Sequence, residues 1–192
     1  MLASATLPET ILTPRLLLRR PDLNDSSAVF HAFGGDQEIA ETMLWPVHST
    51  IDDSERYLSA RISAERDGAG RHWLITSVID HSVLGMISLL FAERGAEVGF
   101  LVSRNAWGNG FATEALKAVL DAGLTGAQGG RVWGWCRKDN GASARVMTKA
   151  GMRKEFFPRR YGKEYKDTLV FARGGRWLVV SLALHALGFL SR

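Results

Sequence analysis

The chain lacks the features that would put it in several broad classes. It has one cysteine, Cys136, in 192 residues. No disulfide can form within it, and a cytoplasmic setting is expected. No apolar segment reaches the roughly 20 residues needed to span a bilayer. The opening residues put no basic group ahead of an apolar stretch, unlike a secretory signal. Lysine and arginine form no dense run. The net charge of +4 is a mild excess that suits an anionic ligand, but it lacks the basic stripe of a nucleic-acid binder. Histidines at 31, 48, 72, 81 and 185 show no metal-ligand spacing, so no metal is expected. No internal repeat or low-complexity tract stands out.

What is present suffices for one core. Apolar residues make up 46% of the chain and charged residues 23%, the balance of a globular domain rather than a disordered one. Apolar runs bounded by turn residues predict strands at 11–20, 72–79, 83–91, 96–103, 131–136 and 165–172. The three middle runs have short connections, as in an antiparallel meander. Helices are predicted at 25–34, after a Ser49 or Thr50 cap until residues 66–71, at 111–122 and at 142–150, the last closed by Gly151. Pro46 marks 43–50 as a loop. The order implies an α/β (α+β) fold: a mixed sheet of about six to seven strands with helices on its faces.

Residues 105–116, "NAWGNGFATEAL", set two glycines between a strand and a helix. The first amides of a helix lack internal partners and lie at the positive end of its dipole, so an anion can accept several hydrogen bonds there. Gly108 and Gly110 would clear that approach and permit unusual backbone angles. A phosphate cradle and a plain tight turn both fit. A dinucleotide fold fits poorly, because Thr113 stands where a small residue is wanted and a meander comes first.

Three stretches in this order, "TPRLLLRRP", "AEVGFLVSRNAWGNGFATEAL" and "DNGASARVMTKAGM", resemble the GNAT superfamily of acyl-CoA-dependent N-acetyltransferases. More narrowly, they are similar to the branch that acetylates ribosomal-protein N-termini. The resemblance covers about residues 12–172. It implies a GNAT-like domain over 1–172 that takes acetyl-CoA as co-substrate. In that family the glycine turn holds the pyrophosphate. Here Leu101, Val102, Arg104, Asn105, Gly108, Asn109, Gly110, Phe111 and Ala112 would surround the cofactor. Asn105 departs from the usual Gln or Arg, and Arg104 is a candidate for the missing charge. Asn140 would contact the pantetheine arm, and Ser143 would protonate the departing thiolate. Alternatively, Asn140 caps a helix and Ser143 is a polar residue of its first turn.

Acyl transfer to an amine needs the amine neutral. A protein N-terminus, with a reference pKa of about 7.7–8.0 against about 10.4 for lysine, needs only a weak base. Glu97 is a charge within an apolar run. The resemblance puts it at the amine site as base and substrate contact; the other reading is a solvent-facing strand residue. A strand amide at residues 100–102 would stabilise the oxyanion, and attack would be direct, in a ternary complex. Cys136 has no nucleophile motif and reads as a buried small residue. Trp45 either borders the substrate groove or packs on the core. Trp73, Trp107, Trp133 and Trp135 read as packing. Arg137, Lys138 and Arg145 either meet phosphates or are solvated. The acceptor could be a peptide N-terminus or a small-molecule amine. A non-catalytic coenzyme A sensor is the alternative, though it would need neither Glu97 nor Ser143.

Residues 173–192 fall outside the resemblance. The 14 apolar-rich residues 177–190 are too short to span a bilayer. As a helix they would have to hide against the domain, a second subunit or a membrane surface; packing against protein is expected, with a homodimer partner among the candidates.

Overall fold

The computed structural model describes residues 7–43, 45–92, 95–126, 130–155 and 167–174. The expected packing contact at 177–190 lies outside them.

The first predicted strand is two. Pro14 has no N–H to give a ladder, and the chain turns there. Thr13 donates its amide to the Leu16 carbonyl at 2.9 Å, and its hydroxyl oxygen accepts the Leu16 amide at 3.0 Å. Strand β1 (Thr10–Leu12) thus folds back on β2 (Leu16–Arg19). Asp22 caps the turn leading to α1 (Ser26–Val29), which continues into a wider turn over Phe30–Gly34.

A second short helix, α2 (Gln37–Met43), was not legible in the sequence. Its two turns bury only Ile39 and Ala40, too few for a period. It starts because Asp36 Oδ1 accepts the amides of Glu38 and Ile39 at 3.0 and 3.2 Å. Helix α3 (Ile51–Arg66) opens on a capping box, in which Thr50 Oγ1 accepts from the Asp53 amide and Asp53 accepts from the Thr50 amide.

The meander is β3 (Gly70–Ser77), β4 (Val83–Ala92) and β5 (Gly95–Val102). Helix α4 (Phe111–Gly126) follows, then β6 (Arg131–Arg137), α5 (Gly141–Lys149), β7 (Arg153–Glu155) and β8 (Thr168–Gly174). One mixed sheet results, in the order β1-β2-β3-β4-β5-β6-β8-β7. It has eight strands rather than six or seven, because of the N-terminal hairpin and the three-residue edge strand β7.

Strand alternation divides the core between two faces. Ile75, Ile87, Leu89 and Val98 pack with Ala115, Leu116, Val119 and Leu120 of α4 and Met147 of α5. Leu74, Met86 and Leu101 point the other way, onto Val29, Phe33, Ile39 and Leu58 of the N-terminal helices. Strands β5 and β6, the parallel pair, share only the ladder pairs Ala96 with Val132 and Glu97 with Trp133. Beyond that point β5 stays with β4 and β6 with β8, so the sheet splits down its middle.

Candidate active site

The split opens a cleft of about 750 Å³. The end of β5 forms one wall, the first residues of α4 its floor, the start of α5 the facing wall, and α2 its rim.

The glycine turn takes the unusual backbone angles expected of it. Gly108 has φ +78° and Gly110 φ +79°, values that side-chain-bearing residues rarely adopt. Nothing among the described residues lies within 4 Å of where a Gly108 side chain would start. The Glu114 amide takes the Gly110 carbonyl at 3.0 Å as the first rung of α4. The amides of Phe111, Ala112 and Thr113 precede that ladder, and all three residues line the cleft.

The turn is braced from the N-terminal hairpin. Arg15 Nε donates to Glu114 Oε2 at 2.7 Å, and Arg15 Nη1 donates to the Asn109 carbonyl at 3.0 Å. Thr13 Oγ1 donates to Glu114 Oε1 at 2.7 Å, and the Arg15 guanidinium lies 4.6 Å from the Phe111 ring centre. Burial alone would raise Glu114, but these donors hold its carboxyl below the usual range.

Not every residue expected at the cofactor reaches the cleft. Leu101, Val102, Gly108, Gly110, Phe111, Ala112, Asn140 and Ser143 line it, whereas Arg104, Asn105 and Asn109 do not. Arg104 turns to α2, where it ion-pairs with Asp36 and Glu38. Cationic charge on the lining comes instead from Arg137, Arg145 and Lys149, the last unmarked by any sequence signal. Arg137 also pairs with Asp139.

Asn140 does cap α5: its Oδ1 accepts the Ser143 amide at 3.0 Å. That bond uses the Ser143 main chain and leaves the hydroxyl available to the cleft. Cys136 is buried in the core, and burial pushes its thiol up.

Glu97 is not part of the cleft lining. It alternates with Val98, which packs against α4, and so lies on the face of β5 away from that helix, at the last β5–β6 pair. Its carboxyl is pushed up to about 7 by burial, partly offset by the Trp135 indole N–H, which donates to Glu97 Oε1 at 2.8 Å. Trp135 is therefore a partner to Glu97 rather than core packing, and is 38% exposed. Trp107 also differs from the packing expectation. It is 47% exposed and donates Nε1–H to the Val102 carbonyl at 2.8 Å. Trp73 and Trp133 are buried as expected. Trp45 is half-buried, its ring 5.1 Å from Tyr57 and 6.0 Å from His48, against the core of the N-terminal helices.

Among the described residues, no cluster of three or more histidine, cysteine or acidic side chains could hold a metal ion. No helix there is long and apolar enough to cross a membrane.

Comparison with known proteins agrees with this architecture. The family model described as "Acetyltransferase (GNAT) domain" matches residues 15–153. The uncharacterised N-acetyltransferase p20 of Bacillus licheniformis is 27% identical over 158 residues, covering 81% of this chain and 88% of that protein. A GNAT-family acetyltransferase from Bacillus anthracis has a similar fold, with a TM-score of 0.71 at 24% identity, over 85% of this chain and 97% of that one. So does Mycobacterium smegmatis RimJ, solved with a CoA disulfide, with a TM-score of 0.68 at 22% identity over 82% and 81%.

Proposed function

Because the chain belongs to the acetyltransferase (GNAT) family, we propose that it moves an acetyl group from acetyl-CoA to a primary amine, by direct attack in a ternary complex. The acceptor is a protein N-terminal α-amine or a small-molecule amine. One observation carries this reading. The gap between β5 and β6 joins a glycine-lined anion cradle on one face of the sheet to a half-buried carboxylate on the other.

The residues fit the donor. A diphosphate at the turn would accept the free amides of 111–113 at the positive end of α4, with no side chain on Gly108 or Gly110 in the way. Arg145 and Lys149 supply positive charge from the facing wall. The thioester end would then enter the gap. There, the β5 amides beyond Val98 that face away from β4, such as that of Phe100, lie past the last β5–β6 pair and can stabilise an oxyanion.

The acceptor comes from the Glu97 side. A carboxyl near 7 is matched to removing a proton from an amine of reference pKa about 7.7–8.0. The lone pair attacks the thioester carbon, the C–S bond breaks as the thiolate takes a proton from Ser143 on the cleft side, and the second proton, lost from the amide nitrogen, restores the serine hydroxyl through solvent. No covalent enzyme intermediate is needed, and buried Cys136 is poorly placed to form one.

The test is calorimetry with acetyl-CoA, followed by a screen of amine acceptors for thiol release. Micromolar binding and release dependent on an amine are expected. A folded protein that gives no heat with acetyl-CoA would overturn the reading.

A further inference from the structure

Besides Glu97, the sheet face that carries it holds a polar pair the scheme above leaves unused. Register places His72 opposite Ser88 and Ser88 opposite Gly99, a row running across β3, β4 and β5. His72 Nδ1 and Ser88 Oγ are 2.7 Å apart. The imidazole is 1% exposed, and its Nε2 has no hydrogen-bond partner among the described residues. Ser88 is only half-buried. Nothing among the described residues lies within 4 Å of where a Gly99 side chain would start, so the row ends in open space. Glu97 is two residues from Gly99 on the same strand, and therefore on the same face. Its diagonal relation to Ser88 implies a Cα separation of about 7–8 Å.

We propose that Ser88, positioned by His72, orients the amine acceptor: its hydroxyl donates to an oxygen on the carbon next to the one that bears the amine. Ser88 thus selects α-amino carbonyl or amino-alcohol acceptors over plain alkylamines. The proposal rests on the acetyltransferase reading above and adds a specificity residue to it.

The direction of the hydrogen bond follows from the burial of His72. Burial drives its pKa down to about 3, with Arg61 and Arg71 adding to the shift, so the ring is neutral and carries one N–H. A buried orphan N–H is rarer than a buried bare acceptor. The proton therefore sits on Nδ1 and is donated to Ser88 Oγ. Ser88 then has its own O–H left to donate, outward, beside Gly99. That donor and the Glu97 carboxylate then sit diagonally across β4 and β5 beside the open space at Gly99, where the amine would meet Glu97 and the neighbouring oxygen would meet Ser88. A buried histidine lacking one partner is costly where packing alone is at stake; here it fixes the orientation of a hydroxyl.

The test compares alanyl-alanine amide with isopropylamine, which has the same branch but no carbonyl. Steady-state transfer from saturating acetyl-CoA is measured for wild type, Ser88→Ala, Ser88→Thr, His72→Asn and His72→Leu. Ser88→Ala is expected to cut kcat/KM for the dipeptide amide about tenfold, mainly through KM, the effect of one lost hydrogen bond. Transfer to isopropylamine, where the wild type gives any, should stay within about twofold. Ser88→Thr, which keeps the hydroxyl, and His72→Asn, which keeps a donor near Nδ1, should restore most of the rate. His72→Leu should behave as Ser88→Ala. Acetyl-CoA binding should be unchanged throughout. Equal losses on both acceptors, no loss on either, or no transfer to the dipeptide amide by a wild type that binds acetyl-CoA would overturn the proposal. A wild type that fails to bind acetyl-CoA would instead overturn the reading of the cleft.

Discussion

Arg15 and Glu114 are 99 residues apart in sequence and meet in a 2.7 Å ion pair beneath the glycine turn. Glu114 belongs to the first turn of α4, so it complements the helix dipole while anchoring the helix to the N-terminal hairpin. Arg15 also holds the Asn109 carbonyl, between the two left-handed glycines. The "TPR" at the start of the chain and the glycines in its middle therefore form one mechanical unit. Glu114→Ala is expected to lower acetyl-CoA affinity about tenfold by loosening the turn. Arg15→Lys, which keeps the charge but loses the fork, should fall between it and wild type. Calorimetry decides, and unchanged affinity in both variants would detach the hairpin from the site.

Gly108→Ala places a methyl group in open space but at φ +78°. The cost is conformational, about 1–3 kcal/mol, read as a fall in Tm. The methyl would also stand where the diphosphate approaches, so acetyl-CoA affinity should fall as well. Gly108→Ala with unaltered affinity would return the turn to a purely structural role.

Glu97 sets the pH dependence. The base works ionised, so kcat/KM should rise with pH through a limb near 7 and level off above it. Trp135→Phe removes the N–H that holds the carboxyl down, and the limb should move upward. Glu97→Gln should bind acetyl-CoA normally and turn over far more slowly; a variant as fast as wild type would exclude Glu97 as base. Stability follows the same group with opposite sign. A folded-state pKa raised to about 7 means that the folded chain holds the proton longer than the unfolded one. Stability therefore falls as pH rises from about 4.5 through 7. Glu97→Gln should flatten that part of the Tm profile.

Asn140 and Ser143 can be separated. Asn140→Ala removes the side-chain acceptor that caps α5 and should cost about 1 kcal/mol. Ser143→Ala leaves the capped amide in place, so Tm should hold. Any loss of kcat in Ser143→Ala then reports the hydroxyl itself, and an unchanged kcat would remove it from the reaction.

The parts legible in the sequence are those determined by neighbouring residues. Short connectors between apolar runs made β3, β4 and β5 a meander, and Ser49 or Thr50 marked the start of α3. Helix α2 escaped notice because two turns with Ile39 and Ala40 buried carry no period. The apparent strand at 11–20 hid a hairpin, since Leu16 to Leu18 read as strand whichever way Pro14 turned the chain. Trp135 and Trp107 misled because an aromatic residue in an apolar run ordinarily packs. Whether its N–H instead reaches Glu97 or the Val102 carbonyl depends on partners 38 and 5 residues away. Arg104 offered a charge beside the turn, but Asp36 and Glu38, 68 and 66 residues distant, draw it to α2.

By itself, then, the order of residues determined the left-handed turn at Gly108 and Gly110, the helix that opens after it, and the impossibility of an internal disulfide. Each depends on local backbone preference or on composition. The tertiary structure alone decided that β5 and β6 meet at two positions and then part, that Glu97 lies opposite the cradle, and that Arg15 closes on Glu114. Those outcomes depend on the register between strands and helices far apart in the chain, which is set by the packing of both faces of the sheet together.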